Sequence, residues 1–279
     1  MENLNIICPI CKTKLIFTES RRSLVCKKEV KPHCFDISSA GYVNLDRDHM
    51  GGGDSKECVK SRSAFLDMGH YAPISEKINE VVKNASADGS TIVDAGCGEG
   101  YYTTSMAKST PDANIYGIDV SKPAIEQGAK RAKRERLENC FFAVSSIFTL
   151  PFSEESVDVI TSIFAPCPEE EFLRTLKKGG HLIIASAGKE HLMGLKKAIY
   201  ENVYENESRA DLPTGSGFQL VEKNTISYSI SLSSQKEIAD LFSMTPYFYR
   251  TSQQDKDKLA KLSTLNTTVE IDLSIYRKN

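Results

Sequence analysis

The segment Ile92-Val93-Asp94-Ala95-Gly96-Cys97-Gly98-Glu99-Gly100 constrains the fold more than any other stretch of this chain. A short apolar, β-branched run leads into three glycines at alternate positions, and a helix is predicted to begin near Tyr101. Alternate glycines let a backbone turn sharply and approach a ligand without collisions at Cβ. Such a turn lies beyond the carboxyl end of the first strand, where open α/β sheets bind their ligands. A second strand, Ile115-Tyr116-Gly117-Ile118, then delivers an acid, Asp119.

The spacing is GxGxG, not the GxGxxG of dinucleotide-binding turns, and it favours S-adenosylmethionine over NAD. Asp119 is placed to accept both ribose hydroxyls of an adenosyl group. Gly96, Gly98, Gly100 and Asp119 are therefore candidate cofactor residues. The blander reading is a tight strand-to-helix turn, with Asp119 capping a helix that starts at Lys122. Ser145 and Ser146, past the third strand, suit either an adenine contact or a helix cap.

Around this turn, β-rich runs alternate with helical periods. Strands are expected at 91–95, 114–120, 140–145, 157–164 and 181–187, with helices after Gly100 and at 122–136 and 168–176. Repeated βα units imply a mainly parallel sheet with helices on both faces. After a helix near 190–204, two alternating runs, 218–231 and 269–277, flank a helix at 235–242 and read as antiparallel strands closing one edge. Ahead of the sheet, Ser55 caps a helix running to about His70, and Pro73 opens another ending near Asn84.

The first 34 positions hold Cys8, Cys11, Cys26 and Cys34, half of the chain's 8 cysteines. Cys8-Pro9-Ile10-Cys11 is a knuckle that aims two thiolates at one tetrahedral metal, and Cys26 with His33 or Cys34 completes the set. Zinc is the natural occupant, in a closed structural site. This segment is too poor in apolar residues for an independent core, so metal binding would supply much of its folding energy. Cys58, Cys97, Cys140 and Cys167 are scattered and read as buried filler. Residues 46–55, polar and glycine-rich, read as a mobile connector. The expected organisation is a metal module at 1–45, connector and helices at 46–89, and the α/β domain at 90–279.

With 40% hydrophobic and 26% charged residues the chain is globular in composition, and a net charge of −2 gives it no global field for nucleic acid. The first 62 residues carry only a mild basic excess, so any RNA contact must be local. The basic run 128–136 reads as a solvated helix face. No run approaches the roughly 18 apolar residues of a membrane span. The N-terminus lacks a basic leader, and a cytoplasmic protein is expected.

Phe164-Ala165-Pro166-Cys167-Pro168 follows the fourth strand of the sheet, where a proline-stiffened loop can hold a flat ring or simply end the strand. Taken with Cys-Pro-Ile-Cys at 8–11, Phe35-Asp36, Gly41-Tyr42-Val43-Asn44-Leu45, Arg62-Ser63-Ala64-Phe65-Leu66-Asp67 and Gly69-His70-Tyr71, these motifs resemble one family. Asp94 to Tyr102, Asp119-Val120-Ser121-Lys122, His191-Leu192-Met193 and Met244-Thr245-Pro246 extend the match along nearly the whole chain. The family is that of the 23S ribosomal RNA guanine-N1 methyltransferases, macrolide-resistance-related members included.

The resemblance implies a class I, Rossmann-like methyltransferase domain behind a small zinc-binding RNA-recognition module, working as a homodimer around an RNA hairpin. It places zinc on Cys8, Cys11, Cys26 and His33, and the cofactor pocket on Tyr71, Gly100, Tyr101 and His191. The expected reaction moves a methyl group from S-adenosylmethionine to N1 of a guanine. That nitrogen carries a proton, so a base must remove it. The sequence leaves this base unidentified: Glu169 and Glu170 are weak candidates and equally ordinary first-turn acids. A small-molecule methyltransferase with a zinc-stabilised lid and an inactive RNA-binding scaffold are the alternatives.

Overall fold

The computed structural model describes residues 4–28, 30–46, 53–208, 210–212, 215 and 217–279. Two sheets organise them. Strands β1 (Leu15–Phe17), β2 (Ser23–Cys26) and β3 (Cys34–Asp36) form a small antiparallel sheet. The large sheet takes β4 (Tyr42–Asn44), and then, beyond helices α1 (Lys56–Asp67) and α2 (Ala72–Ala85), the alternation β5 (Thr91–Ala95), α3 (Tyr101–Ser109), β6 (Asn114–Asp119), α4 (Lys122–Arg134), β7 (Cys140–Val144). It continues with β8 (Val157–Ile163), α5 (Glu169–Thr175), β9 (Leu176–Ala187), α6 (Met193–Ile199), β10 (Phe218–Leu232), α7 (Gln235–Ser243), α8 (Gln253–Ala260) and β11 (Leu265–Lys278).

The strand order is β10-β11-β9-β8-β5-β6-β7-β4, parallel from β9 to β4 and antiparallel where β11 joins β9 and β10 joins β11. This is the mainly parallel sheet with an antiparallel edge that the alternation implied. Order reverses at β5, so the switch-point crevice opens between β5 and β8, and the glycine turn leaves the carboxyl end of β5 at its rim.

The central strands are buried on both faces, which is why β5 reads as a continuous apolar run. Ile92 and Ile115 point into the face covered by α2, α3, α6 and α7, whereas Val93 and Tyr116 point into the other. On that second face the metal module packs directly against the sheet: Leu4, Ile6, Leu15, Leu24 and Phe35 share a core with Tyr116, Phe141 and Phe152. The Asn5 N–H donates to the Tyr116 hydroxyl at 2.9 Å, and the Ile7 N–H to the Pro151 carbonyl at 2.9 Å. The module thus borrows the core it cannot build itself.

Three features depart from the sequence reading. Strand β4 lies within the expected 1–45 module yet pairs in parallel with β7, so the module is stitched into the large sheet rather than separated from it at residue 45. Helix α6 is shorter than the expected 190–204. Helix α8 was not foreseen, because among its residues only Leu259 is buried and no apolar periodicity announces it. Of the connector, residues 47–52 lie outside the described residues. No described helix is long and apolar enough to cross a membrane.

Candidate active site and metal centre

Cys8, Cys11, Cys26 and His33 converge so that one ligand atom from each lies within 4.8 Å of the others. Two short strands and a knuckle bring this about. The Lys12 N–H donates to the Cys8 carbonyl at 2.9 Å to close the knuckle, and the Cys26 N–H donates to the His33 carbonyl at 3.1 Å across the second loop. His33 turns Nδ1 toward the sulfurs, 3.4 Å from Cys8 Sγ and 3.6 Å from Cys26 Sγ. Hydrogen bonds from Thr13 lower the Cys11 thiol to about pKa 6, toward the thiolate a metal requires. Cys34, the alternative fourth ligand, is exposed on β3 and lies outside the cluster. Four S/N donors with no carboxylate suit a closed tetrahedral zinc site.

At the other end of the molecule's chemistry, Gly96, Gly98 and Gly100 all adopt left-handed backbone, with φ of 78°, 54° and 75°. That repeated turn wraps the end of β5 around the end of β6, where the Gly96 and Cys97 N–H groups donate to the Ile118 carbonyl at 2.8 and 3.1 Å. Asp119 then faces the turn. Its Oδ2 accepts the Gly98 N–H at 3.0 Å and its Oδ1 the Ser121 N–H at 2.7 Å, one bond to each oxygen. A carboxylate has about four acceptor positions, so capacity remains for two ribose hydroxyls. Asp119 does not cap the following helix: Ser121 does, accepting from the Ala124 N–H. Ser146 likewise caps the 3-10 turn Ile147–Thr149.

Tyr71 and His191, remote in sequence, meet here. Tyr71 is 1% exposed at the start of α2, and its hydroxyl lies 3.4 Å from His191 Nε2. Phe164 stacks on the imidazole, with centroids 5.9 Å apart at 29°, and leans on Tyr71 at 6.5 Å. Phe164 and Leu192, which follows His191, are both left-handed, with φ of 54° and 55°. Such strain in non-glycine residues is held only where surrounding packing fixes it, often at functional sites. Burial lowers His191 to about pKa 4, helped by Lys196, so the ring is neutral near pH 7. Tyr101 opens α3 beside the turn, but its ring lies against Arg131 at 5.9 Å; what it offers a ligand is the N–H of a helix start.

The sequence reading missed three charged groups around the turn. Asp94, 2% exposed, accepts from Thr103 Oγ1 at 2.5 Å and Thr161 Oγ1 at 2.9 Å, and burial lifts it to about pKa 6. Glu99, also 2% exposed, is lifted to about 7 by burial, against the pull of Arg62. Arg62 itself, from α1, lies over Gly98 and bonds Asp54. The available signal was an acid inside an otherwise small-residue turn. Arg131, placed with the solvated run 128–136, is instead 6% exposed and bonds Asp67 at 2.6 Å and Ser63 at 3.0 Å.

Burial raises Cys58, Cys97, Cys140 and Cys167, the last to about pKa 12, so none has the character of a nucleophile. Cys58 and Cys97 are buried; Cys140 and Cys167 are partly so. Glu169 and Glu170 stand in the first turn of α5 and line a shallow groove with Phe148 and Arg174.

A mainly parallel sheet with a glycine turn leaving β5 and an acid closing β6 is the architecture of a methyltransferase. Comparison agrees: residues 86–258 match the family described as "Methyltransferase domain", and the chain belongs to that family. Residues 6–45 match the zinc ribbon described as "RlmA, N-terminal". Among curated relatives, the chain is 32% identical over 196 residues to the 23S rRNA (guanine(748)-N(1))-methyltransferase of Streptomyces fradiae, covering 69% of this chain and 66% of that one. It is 27% identical over 281 residues to the Bacillus subtilis protein named "Putative 23S rRNA (guanine-N(1)-)-methyltransferase YxjB", covering 97% of this chain and 96% of the relative.

Proposed function

We propose that this protein transfers a methyl group from S-adenosylmethionine to N1 of a guanine in a hairpin loop of 23S ribosomal RNA. The observation that carries the reading is structural as well as genealogical. A zinc ribbon and a glycine-turn site share one hydrophobic core through Leu4, Ile6 and Tyr116, in a chain that aligns over 97% of its length with a relative bearing that name. On this reading zinc is held by Cys8, Cys11, Cys26 and His33, and the nucleoside by the 96–100 turn, Asp119, Tyr71, Tyr101 and His191.

Bound S-adenosylmethionine supplies a methyl group on a positively charged sulfur, so the protein's main task is orientation. Gly98 provides the fit: a Cβ there would meet only Arg62 Nη1, at 3.5 Å, leaving a cradle above the turn. Asp119 fixes the ribose. Tyr71, Phe164 and His191 wall the pocket with rings and exclude water, and the neutral imidazole adds no repulsion toward a cation. Asp94, Glu99 and Asp119 outnumber Arg62, a balance that favours a cationic donor over its neutral product. Guanine N1 lies on the pairing edge, so the target base must be unpaired or drawn from its stack.

Transfer of labelled methyl groups to naked 23S RNA, followed by nucleoside analysis, tests the reading. N1-methylguanine is the expected product; a different methylated nucleoside, or transfer to small molecules alone, overturns it. We also read the protein as a cytoplasmic homodimer, which sedimentation checks for the oligomer.

A further inference from the structure

Gly53 and Asp54, just ahead of α1, lie on the rim of the proposed nucleoside site. The Ser121 hydroxyl donates to the Asp54 carbonyl at 3.0 Å, and a Cβ on Gly53 would stand 2.7 Å from Ser121 Cβ. These contacts lay the connector beside Asp119, whose Oδ1 accepts the Ser121 N–H. The Asp54 carboxylate accepts from Arg62 Nη1. Arg62 in turn bridges to Glu99 Oε2 at 3.9 Å and rests on Gly98. Its side chain is 22% exposed and that of Asp54 33%, so the pair is reachable from outside while Glu99 is not.

Glu99 is fixed from within the turn, whereas Asp54 belongs to the connector. A guanidinium over Gly98, neutralised by a carboxylate from the segment ahead of α1, is the arrangement of a receptor holding a substitute. S-adenosylmethionine and S-adenosylhomocysteine both end in an amino-acid carboxylate with the chemistry of the Asp54 side chain. Resting on the proposed cofactor, we infer that Arg62 is the receptor for that carboxylate and that Asp54 occupies it until the ligand arrives. Cofactor binding then exchanges one carboxylate for the other and releases the connector from the rim. Loading of the methyl donor is thereby communicated to the tether of the zinc ribbon. A bidentate-capable arginine suits this role better than lysine would.

The full-length, zinc-loaded protein is titrated calorimetrically with S-adenosylmethionine and with its decarboxylated form, which keeps the adenosine and sulfonium. The wild type is expected to prefer the carboxylate form by about tenfold, the size of a charge-assisted hydrogen bond. Arg62→Gln is expected to erase that preference while leaving the decarboxylated ligand within about twofold, and Asp54→Asn to tighten the carboxylate form several-fold by removing its competitor. Hydrogen exchange of the peptide spanning Gly53 to Lys60 should quicken when the carboxylate form binds and stay level with the decarboxylated one.

Equal affinities in the wild type would overturn the assignment of Arg62. A common loss of both ligands in Arg62→Gln would also overturn it, by making the arginine a scaffold residue. Slower or unchanged exchange with the carboxylate form would overturn the release of the connector. Should neither nucleoside bind the wild type, the methyl-donor reading itself fails, an outcome separate from these.

Discussion

His191 Nε2 lies 3.4 Å from the Tyr71 hydroxyl, with the two rings edge to face and their centroids 6.2 Å apart. The other ring nitrogen, Nδ1, accepts the Glu270 N–H at 3.3 Å, so the network assigns the proton to Nε2, which donates to the phenol oxygen. Strand β11 thereby sets the tautomer of the ring that meets Tyr71.

Replacing Tyr71 with Phe strands that proton in a buried place, at a cost of about 1–3 kcal/mol. Urea unfolding should show a loss of that size. Combining Tyr71→Phe with His191→Phe, which removes both partners of this contact, should cost less than the sum of the two single changes; additive losses would mean the two side chains are not coupled.

Because burial holds His191 near pKa 4 while an unfolded histidine titrates near 6.5, the unfolded chain binds the extra proton first as pH falls. The contribution of His191 is complete above about pH 6.5 and is lost toward pH 4. NMR titration of the imidazole should place its midpoint near 4, and a midpoint above 6 would contradict the burial seen here.

Asp94 and Glu99 shift the opposite way, to about 6 and about 7, both chiefly through burial. Folded carboxyls with raised values destabilise the free protein as pH climbs from the ordinary carboxylate range through those values. A sulfonium cation favours their ionised forms. The affinity ratio of S-adenosylmethionine to S-adenosylhomocysteine should therefore rise between pH 5.5 and 7.5, and Asp94→Asn should shrink that rise. A flat ratio in calorimetry would remove these acids from charge recognition.

Gly100 and Gly89 share nearly the same left-handed backbone, with φ of 75° and 77°, but not the same surroundings. A Cβ on Gly100 would stand 2.7 Å from the Phe142 ring and 3.0 Å from Gly128, whereas nothing lies within 4 Å at Gly89. Gly89→Ala should cost about 1–2 kcal/mol, the backbone penalty alone. Gly100→Ala should add about 1–3 kcal/mol of overpacking, part of it recovered when Phe142→Leu is combined with it. Equal thermal shifts for the two glycine variants would refute the crowding.

At the metal centre, Cys26→Ser and His33→Ala should lose zinc by elemental analysis, while Cys34→Ser retains it. Chelation should loosen the ribbon at neutral pH, since structural zinc contributes about 10–16 kcal/mol in isolated zinc-finger peptides. Retention of zinc by His33→Ala together with its loss from Cys34→Ser would reverse the ligand assignment.

Much of this site is local and hence legible in the chain itself. A strand, three alternate glycines and a helix start are contiguous, and the acid closing the next strand follows from the βα period, so the turn and Asp119 could be placed without coordinates. The knuckle Cys8–Cys11 is equally local. His33 and Cys34 were not separable, because adjacent residues entering a strand point to opposite sides and only the register with β2 says which side holds the thiols.

What remained hidden depends on contacts between distant segments. Arg131 looked like one charge among many until α1 supplied Asp67 and Ser63. Residues 42–44 looked like the end of a small module until β7 offered them an open edge. Arg62 and Asp54 acquire meaning only where α1 lays the guanidinium over Gly98 and the carboxylate meets it. Hydrophobic period and turn chemistry act over a few residues, and they determined the sheet, its helices and the glycine turn. Burial, electrostatic pairing and strand docking depend on which remote surfaces meet, and these alone decided the meeting of Tyr71, Phe164 and His191, the shifted acids and the Arg62–Asp54 pair.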